Sequence, residues 1–244
     1  MSEYASEADY LRHYDPRRYS SPLVSVDLAI FSLHDGRLQV LLVQRADYPH
    51  KQRWALPGGF VNVAQDKDLL DTARRKLHEK TGVRTPYLEQ VASVGGPERD
   101  PRGWSITILY MALIAHAPAR AVVDSVAEAA WWPVEQALAM PLAFDHVALL
   151  QQARERLRGK TAYTLLPVHV LQAPFTLTQL QQAFEELLGA PLEKKAFRRR
   201  ILNADVLEEV GEALPDSGRG RPAVHYRPRK GSAQHVFNRV VLAD

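Results

Sequence analysis

The sequence predicts an α+β chain of two domains, a first of several strands with amphipathic helices and then a smaller helical unit that ends in a hairpin. Three observations predict it. Within the first 159 residues, runs that alternate apolar and polar side chains surround a glycine loop and one amphipathic helix. Basic charge is concentrated in the remaining 85 residues, 160–244. That remainder carries two helical patterns joined by a tight turn, then a two-strand pattern with a glycine- and arginine-rich tip. A chain of 244 residues exceeds one average domain, and the expected divisions are an arm over 1–21, a first domain over 22–159 and a second over 160–244.

Charge separates the two parts. Residues 160–244 hold 12 Lys and Arg against 9 Asp and Glu, which leaves 19 of each for residues 1–159 and places the whole net charge of +3 in the second part. Between Lys194 and Lys230 there are ten basic residues to five acidic ones. A local excess of that kind suits a polyanion, although a solvated face has the same composition. The absence of cysteine excludes disulfides, thiolate zinc sites and thiol nucleophiles. Nine histidines are scattered without an H-E-x-x-H pair, so no metal site is expected from them. Met1 to Pro22 has no apolar core of a leader, and no later run reaches the ~18 apolar residues of a membrane span, so no membrane partner and an intracellular location are expected.

Ser2 to Tyr19 predicts a short helix with Tyr4, Ala8 and Leu11 on one side, stopped by Asp15-Pro16; it packs either on its own domain or on a partner subunit. Val24, Val26, Leu28 and Ile30 alternate with Ser25, Asp27 and Ala29, the pattern of a half-buried strand, and after His34-Asp35-Gly36 the run Leu38 to Val43 is its antiparallel partner. Arg45 ends that second strand. Trp54-Ala55-Leu56-Pro57 then leads into Gly58-Gly59, which lets the backbone turn tightly and approach a ligand. Leu69, Leu70, Ala73 and Leu77 recur at helical spacing until Gly82 stops the helix.

Tyr87 to Val94 and Ser105 to Ala115 predict two more strands around a loop containing Arg99-Asp100-Pro101-Arg102-Gly103. Two arginines flanking a rigid proline can offer forked donors to a diphosphate, and Asp100 can accept from ribose hydroxyls; alternatively the aspartate and arginine pair with each other. Ala127 to Trp132 is another strand, whose adjacent tryptophans face opposite sides; one is a candidate to stack on a base, with core packing as the alternative. Pro133 suits the first turn of a helix. Val147 to Arg158 predicts an amphipathic helix with Leu149, Leu150, Ala153 and Leu157 inward, closed by Gly159-Lys160, and Thr161 to Leu166 is a short β-prone run.

In the second part, Phe175-Thr176-Leu177-Thr178 opens a helix with a capping threonine that runs to Gly189. After Ala190-Pro191 a second helix spans about Glu193 to Ala204, with Phe197 and Ile201 inward and Lys194, Lys195, Arg198, Arg199 and Arg200 on the remainder. Like charges one turn apart cost ~0.2–0.5 kcal/mol per pair, a repulsion that a phosphate backbone would relieve. Val206 to Val210 and Pro222 to Pro228 come next as a hairpin whose tip, Gly218-Arg219-Gly220-Arg221-Pro222, carries two more arginines. Two helices, a tight turn and a hairpin in that order make a winged helix-turn-helix, with the basic helix for a groove and Arg219 and Arg221 for phosphates or a narrow minor groove.

Loop, helix and glycine stop over Gly58 to Val83 resemble the signature of the Nudix hydrolases, G-x5-E-x7-R-E-U-x-E-E-x-G-U, whose glutamates hold the divalent metals of hydrolysis. The departures decide what the resemblance implies. Counted from Gly59, Gln65 stands at the first glutamate; counted back from Gly82, Lys76 and Lys80 stand at two others, and only Glu79 keeps its carboxylate. The segment between Gln65 and Arg75 is also two residues longer than the family pattern. Magnesium needs anionic oxygens, and ammonium groups at its ligand positions oppose it, so the expectation is no catalytic residue and no bound metal. Two rivals stay open, a solvated face for the lysines and a metal site rebuilt from Asp66, Asp68 and Asp71. Lysines beside Arg75 can hold a diphosphate by charge alone. The Nudix likeness further implies that the first domain is a mixed sheet packed as a sandwich with helices, that Arg45 points to the ligand side, that Arg99 to Gly103 flanks the pocket, and that Phe144 and His146 of Pro141-Leu142-Ala143-Phe144-Asp145-His146 lie at its rim.

A degraded Nudix stretch followed by a basic winged helix resembles the NrtR family, Nudix-related transcriptional regulators of NAD metabolism, over almost the whole chain. The resemblance implies a bacterial, cytoplasmic, nucleoid-associated homodimer that represses from a palindromic double-stranded operator. It implies release by ADP-ribose or a related nucleotide, with no cofactor required. The rival functions are an active hydrolase of ADP-ribose-like diphosphates with an accessory tail, and an interaction module with neither ligand nor operator.

Overall fold

The computed structural model describes residues 4–82, 87–118, 126–213 and 223–238. In chain order its elements are α1 (Glu7–His13), β1 (Leu23–His34), β2 (Arg37–Arg45), β3 (Trp54–Ala55), β4 (Gly58–Phe60), α2 (Leu69–Thr81), β5 (Tyr87–Gly96), β6 (Ser105–Leu113), β7 (Val126–Pro133), α3 (Val134–Ala139) and α4 (His146–Thr161). The second part contains β8 (Phe175–Thr176), α5 (Leu177–Leu188), α6 (Lys194–Asn203), β9 (Leu207–Ala213) and β10 (Ala223–Pro228).

Seven strands form one mixed sheet in which β1 pairs parallel with β6 and every other pairing is antiparallel. β1 is buried on both faces from Val26 to Ser32, not on one as the alternation suggested. The reason is a layer on each side. Val26, Leu28 and Ile30 meet Ala73 and Leu77 of α2, while Ala29 and Phe31 meet Leu149, Leu150 and Ala153 of α4. The positions that looked polar therefore face a second helical layer, and Asp27 is only 6% exposed.

The sheet forks, and the fork positions the site. β1 pairs with β2 only from Phe31 to His34; toward its start it pairs with β4 through Ser25, Val26 and Asp27. β2 meanwhile continues along β7 and takes β3 on its other edge at Val43 and Gln44. A cleft lies between the diverging halves.

The helix caps obey the local sequence. Asp68 accepts from the Asp71 amide at the start of α2, and Gly82, at φ +68°, ends it with its amide on the His78 carbonyl. Thr176 and Gln179 form a capping box on α5, which Gly189 closes in the same left-handed conformation. α4 corrects the expected stop, because it runs through Gly159 to Thr161. Thr161 to Leu166 is not a strand; it holds the end of α4, a single bridge from Thr164 to Val236, and the start of a 3-10 turn over Leu166–Val170. Trp131 and Trp132 do face opposite sides and both serve the core, Trp131 donating to the Ala117 carbonyl at 2.7 Å and Trp132 packing edge-on to Trp54.

In the second part β8, β10 and β9 make a three-stranded sheet against α5 and α6, around Phe184, Leu188, Phe197, Ile201 and Tyr226. Phe175 and Thr176 are thus a strand as well as a helix entry. α5 is buried twice over. Leu180, Phe184 and Leu188 face α6, whereas Ala183 and Leu187 belong to the same core as α4, and Leu38 of β2 donates its amide to Glu186 at 2.8 Å. No residue of α1 is buried, and Tyr10, Leu11, Tyr14 and Tyr19 are exposed. Among the described residues no helix is long and apolar enough to cross a membrane.

Candidate functional site

The fork encloses a cavity of about 390 Å³ lined by β1 and β4 on one side, β2 and β3 on the other, and by the 99–102 loop, α2 and the start of α4. That volume falls in the range of small-molecule sites. Its polar lining includes the buried Asp27, whose carboxylate accepts from Thr107 Oγ1 at 2.7 Å and stands 3.6 Å from the Arg99 guanidinium. Gly58 is required beside it, because a Cβ there would lie 2.3 Å from Asp27 Oδ1 and 2.5 Å from the Val26 carbonyl oxygen. His146 is buried next to both. Its Nδ1 accepts from the Leu56 amide at 2.9 Å, so the proton sits on Nε2, which faces Asp27 Oδ1 at 3.7 Å. Burial lowers the His146 pKa, consistent with a neutral ring.

Arg99 is held by Asp145 through two hydrogen bonds, of 2.9 and 3.1 Å, and donates to Ser105 Oγ at 3.3 Å. Arg102 and Asp100 pair with each other, at 2.7 and 3.0 Å, which is one of the two alternatives for this loop, and both line the cavity. Opposite them, Arg45 donates to the Pro49 carbonyl at 2.7 Å and lies 4.9 Å from the centre of the Phe144 ring. Burial and the charge of Arg102 push the Arg45 pKa down. An anion between these guanidiniums would relieve that repulsion. Phe144 adopts φ +55°, a conformation uncommon for a bulky side chain and costing of order 1–3 kcal/mol, and this turn carries its ring to the cavity.

The helix that bears the degraded box contributes Lys76 and Glu79 to the lining. The two pair at 3.0 Å, and Lys76 lies so close to Gly59 that a Cβ on the glycine would meet its Cε at 2.9 Å. Glu79 accepts from Arg75 as well, at 3.0 Å. Burial raises the Glu79 pKa, but the hydrogen bonds from Lys76 and Arg75 outweigh it and keep the carboxylate below its ordinary value. Arg75 does not reach the cavity; it is turned to Asp66, with contacts of 2.6 and 2.7 Å. Gln65 is exposed in the preceding loop, and Lys80 lies on α2 with its side chain outside the described residues. Of the rival acidic set, the Asp68 carboxylate accepts from the Asp71 amide at the cap, the Asp71 carboxylate accepts from the Lys67 amide and Asp66 is taken by Arg75 and Thr72, and among the described residues no group of three metal-binding side chains comes together. The donor set does not fit a divalent cation, since its one box carboxylate is shared between two cationic side chains.

Of the residues expected at a ligand, Arg45, Gly58, Gly59, Arg99, Asp100, Arg102, Phe144 and His146 surround this one cavity, and neither tryptophan does. Asp27 and Phe60, which also line it, were missed, as was Asp145, which holds the lining residue Arg99. Asp27 occupied a slot that alternation assigns to solvent, and no local signal marks Phe60, whose ring lies 4.9 Å from the Arg102 guanidinium carbon.

The second candidate surface is α6. Glu193 caps it by accepting from the Lys195 and Ala196 amides, while Phe197 and Ile201 face inward at 3% and 1% exposure. Lys194, Lys195 and Arg199 are exposed; Arg200 is half-buried, and Arg198 leans on α5 with a contact to Thr178 Oγ1 at 3.3 Å. Arg219 and Arg221 lie outside the described residues.

Residues 24–153 match the family model described as the NUDIX domain, and residues 167–227 match that of the NrtR DNA-binding winged helix domain. The chain is 51% identical over 224 residues to the ADPR responsive transcriptional repressor NtrR of Acinetobacter baylyi, spanning 92% of this chain and 89% of that one. It is similar to Shewanella oneidensis NrtR complexed with a 27mer DNA, at a TM-score of 0.81 and 45% identity over 89% of this chain and 98% of that one. The NUDIX domain of the same Shewanella protein complexed with ADP ribose gives a TM-score of 0.60 at 48% identity, covering 62% of this chain and 99% of that one. A forked Nudix sheet joined through α5 to a basic winged helix, together with these likenesses, establishes that the chain belongs to the NrtR family of Nudix-related transcriptional regulators.

Proposed function

We propose that this protein is a transcriptional repressor of NAD-metabolism genes that leaves its operator when ADP-ribose fills the fork cavity. The observation that carries the reading is the cavity's polar lining: Arg45, Arg99 and Arg102 converge on it, and Asp100 can accept from ribose hydroxyls. ADP-ribose combines a diphosphate for the former with ribose hydroxyls for the latter. The exposed cations of α6, with Arg219 and Arg221, supply the phosphate contacts of a groove-binding module. The working species is a homodimer on a palindrome whose half-sites lie about one helical turn apart, in the bacterial cytoplasm at the nucleoid.

Hydrolysis is not part of this function. Lys76 and Arg75 neutralise Glu79, and Lys76 and Lys80 replace carboxylates with cations, so the helix offers a diphosphate charge without a metal. Effector and operator are then linked. A coupling of ~1–3 kcal/mol changes DNA affinity about 5- to 150-fold, provided that the effector binds the DNA-incompetent arrangement more tightly.

The test is fluorescence anisotropy with labelled duplex from upstream of the protein's own and neighbouring genes, titrated with ADP-ribose at fixed salt, because phosphate contacts make affinity salt-dependent. Specific binding, reversal by ADP-ribose and recovery of intact nucleotide are expected. Turnover of ADP-ribose with magnesium that is lost in Glu79→Gln would instead establish a hydrolase.

A further inference from the structure

We propose that Asp145 is the residue through which the cavity addresses the DNA-binding unit: its carboxylate and an anionic ligand compete for Arg99, and the carboxylate released from Arg99 caps α4. This rests on the repressor reading above and names its switch.

Asp145 is the N-cap residue of α4 and belongs to the residue types that best fill that position, yet it makes no capping hydrogen bond. In α1, α2, α5 and α6 the N-cap side chain does accept from the first turn. The Asp145 carboxylate is instead committed to Arg99, with both oxygens engaged, and Arg99 is itself a cavity residue only 9% exposed. A diphosphate that draws on the same guanidinium competes with Asp145 directly. Once freed, and once its backbone turns from φ −91°, ψ 18° to the extended conformation of the filled N-caps, the carboxylate can accept from the amides of Val147 or Ala148, two and three residues on.

The consequence reaches the winged helix because α4 is rigid and short of slack. Its 16 residues span about 24 Å, from His146 in the cavity wall to Thr161. Leu149, Leu150, Ala153 and Leu157 share a core with Ala183 and Leu187 of α5, and the adjoining part of the same apolar face of α5 holds α6 through Phe184 and Phe197, whose rings meet edge to face at 5.3 Å. A reseated first turn of α4 is thus two packed contacts from the basic helix. Phe144, immediately before Asp145 and already at positive φ, is the backbone joint that such reseating would turn.

Asp145→Asn and Asp145→Ala separate the two halves of the switch. Both remove the ion pair, and only asparagine can still cap. In the full-length protein, Asp145→Asn is expected to bind its duplex at least fivefold more weakly than wild type without ligand, to bind ADP-ribose more tightly by calorimetry, and to show less than a twofold response of DNA binding to ADP-ribose. Asp145→Ala is expected to keep wild-type duplex affinity within twofold and to lose the response to ADP-ribose. A wild-type response in Asp145→Asn, or identical behaviour of the two variants, overturns the switch. The calorimetric titration establishes that each variant retains a folded cavity; loss of ADP-ribose binding in both would make Asp145 a structural support and equally overturn it. Wild-type protein whose duplex is not released by ADP-ribose refutes the repressor reading itself, a result seen without either variant.

Discussion

Gly58→Ala tests whether the fork, and not its cationic rim alone, makes the site. The added Cβ would lie 2.3 Å from Asp27 Oδ1, 2.5 Å from the Val26 carbonyl oxygen and 3.2 Å from Asp27 Cα. The first two are about 1 Å short of a normal contact. Val26 cannot yield, because β1 is fixed on its other edge by the parallel register with β6 from Leu23 to Phe31. β4 must therefore draw away from β1 at Val26, and relief of the Oδ1 contact turns the Asp27 carboxylate away from Thr107. Overpacking of this kind costs about 1–3 kcal/mol, which for a chain of this size lowers Tm by about 2–12 °C. Displacing Asp27 also removes a charged neighbour of Arg99 and His146, and the loss of one charge-assisted hydrogen bond's worth of organisation weakens ADP-ribose binding about tenfold. Thermal unfolding and calorimetric titration read the two effects separately. A Gly58→Ala protein that melts with wild type and binds ADP-ribose equally well would refute the account of the fork.

Gly159→Ala has the opposite expectation: the residue is inside α4, its Cβ would meet nothing within 4 Å, and stability should rise by about 0.5–1 kcal/mol in denaturant titrations. Acid should destabilise the fold in a defined direction. Asp66 is held below the ordinary carboxylate range by Arg75, Asp100 by Arg102, and Glu193 by the Lys195 and Ala196 amides. Depressed folded-state pKa values give stability that is complete above the unfolded carboxylate range, about pH 4, and is lost as pH falls through the folded values; a series of melts from pH 7 to 2 should show it, and Asp66→Asn should differ from wild type at pH 7 and converge with it in acid. Arg199→Ala, at an exposed position of α6, should weaken binding to all duplexes alike and reduce the slope of log affinity against log salt by about 1 per protomer, whereas Arg198→Ala should also lower Tm because that side chain packs toward Thr178.

How much of the molecule was legible in the sequence depends on the range of the interactions concerned. Caps and stops are local, so Gly82, Thr176 and Gly189 could be placed from neighbours alone. Burial of β1 on both faces could not, because it depends on a parallel partner some eighty residues away and on helices above and below. The same blindness hid Asp27. Arg75 illustrates a subtler failure: its place in the family pattern pointed to the ligand, but the lengthened segment before it brings in Asp66, which captures the guanidinium from outside the cavity. At Gly159 local propensity lost to packing, since about 1 kcal/mol of glycine penalty cannot outweigh the burial of Leu157 and Thr161 on either side. Phe144 and His146 were legible only through resemblance, because nothing in their spacing sets them apart from an ordinary helix start.

The division into a sensing part and a DNA-binding part does not coincide with a division of the packing. A linker between independent domains would let one move without informing the other, and relative motion would then be the default. Here α5 belongs to the winged helix by sequence and to both cores by contact: Leu180, Phe184 and Leu188 complete one, Ala183 and Leu187 the other, and Glu186 accepts the Leu38 amide between them. Any displacement of α5 relative to the sheet must therefore break contacts in a close-packed core or carry α6 with it, and close-packed cores favour discrete arrangements over gradual deformation. Two discrete seatings of α5 suffice for a repressor, because an effector need only prefer one of them. Helix α6 is thus mounted on a strut that also completes the core of the Nudix sheet, which makes that fold a structural member of the winged-helix unit.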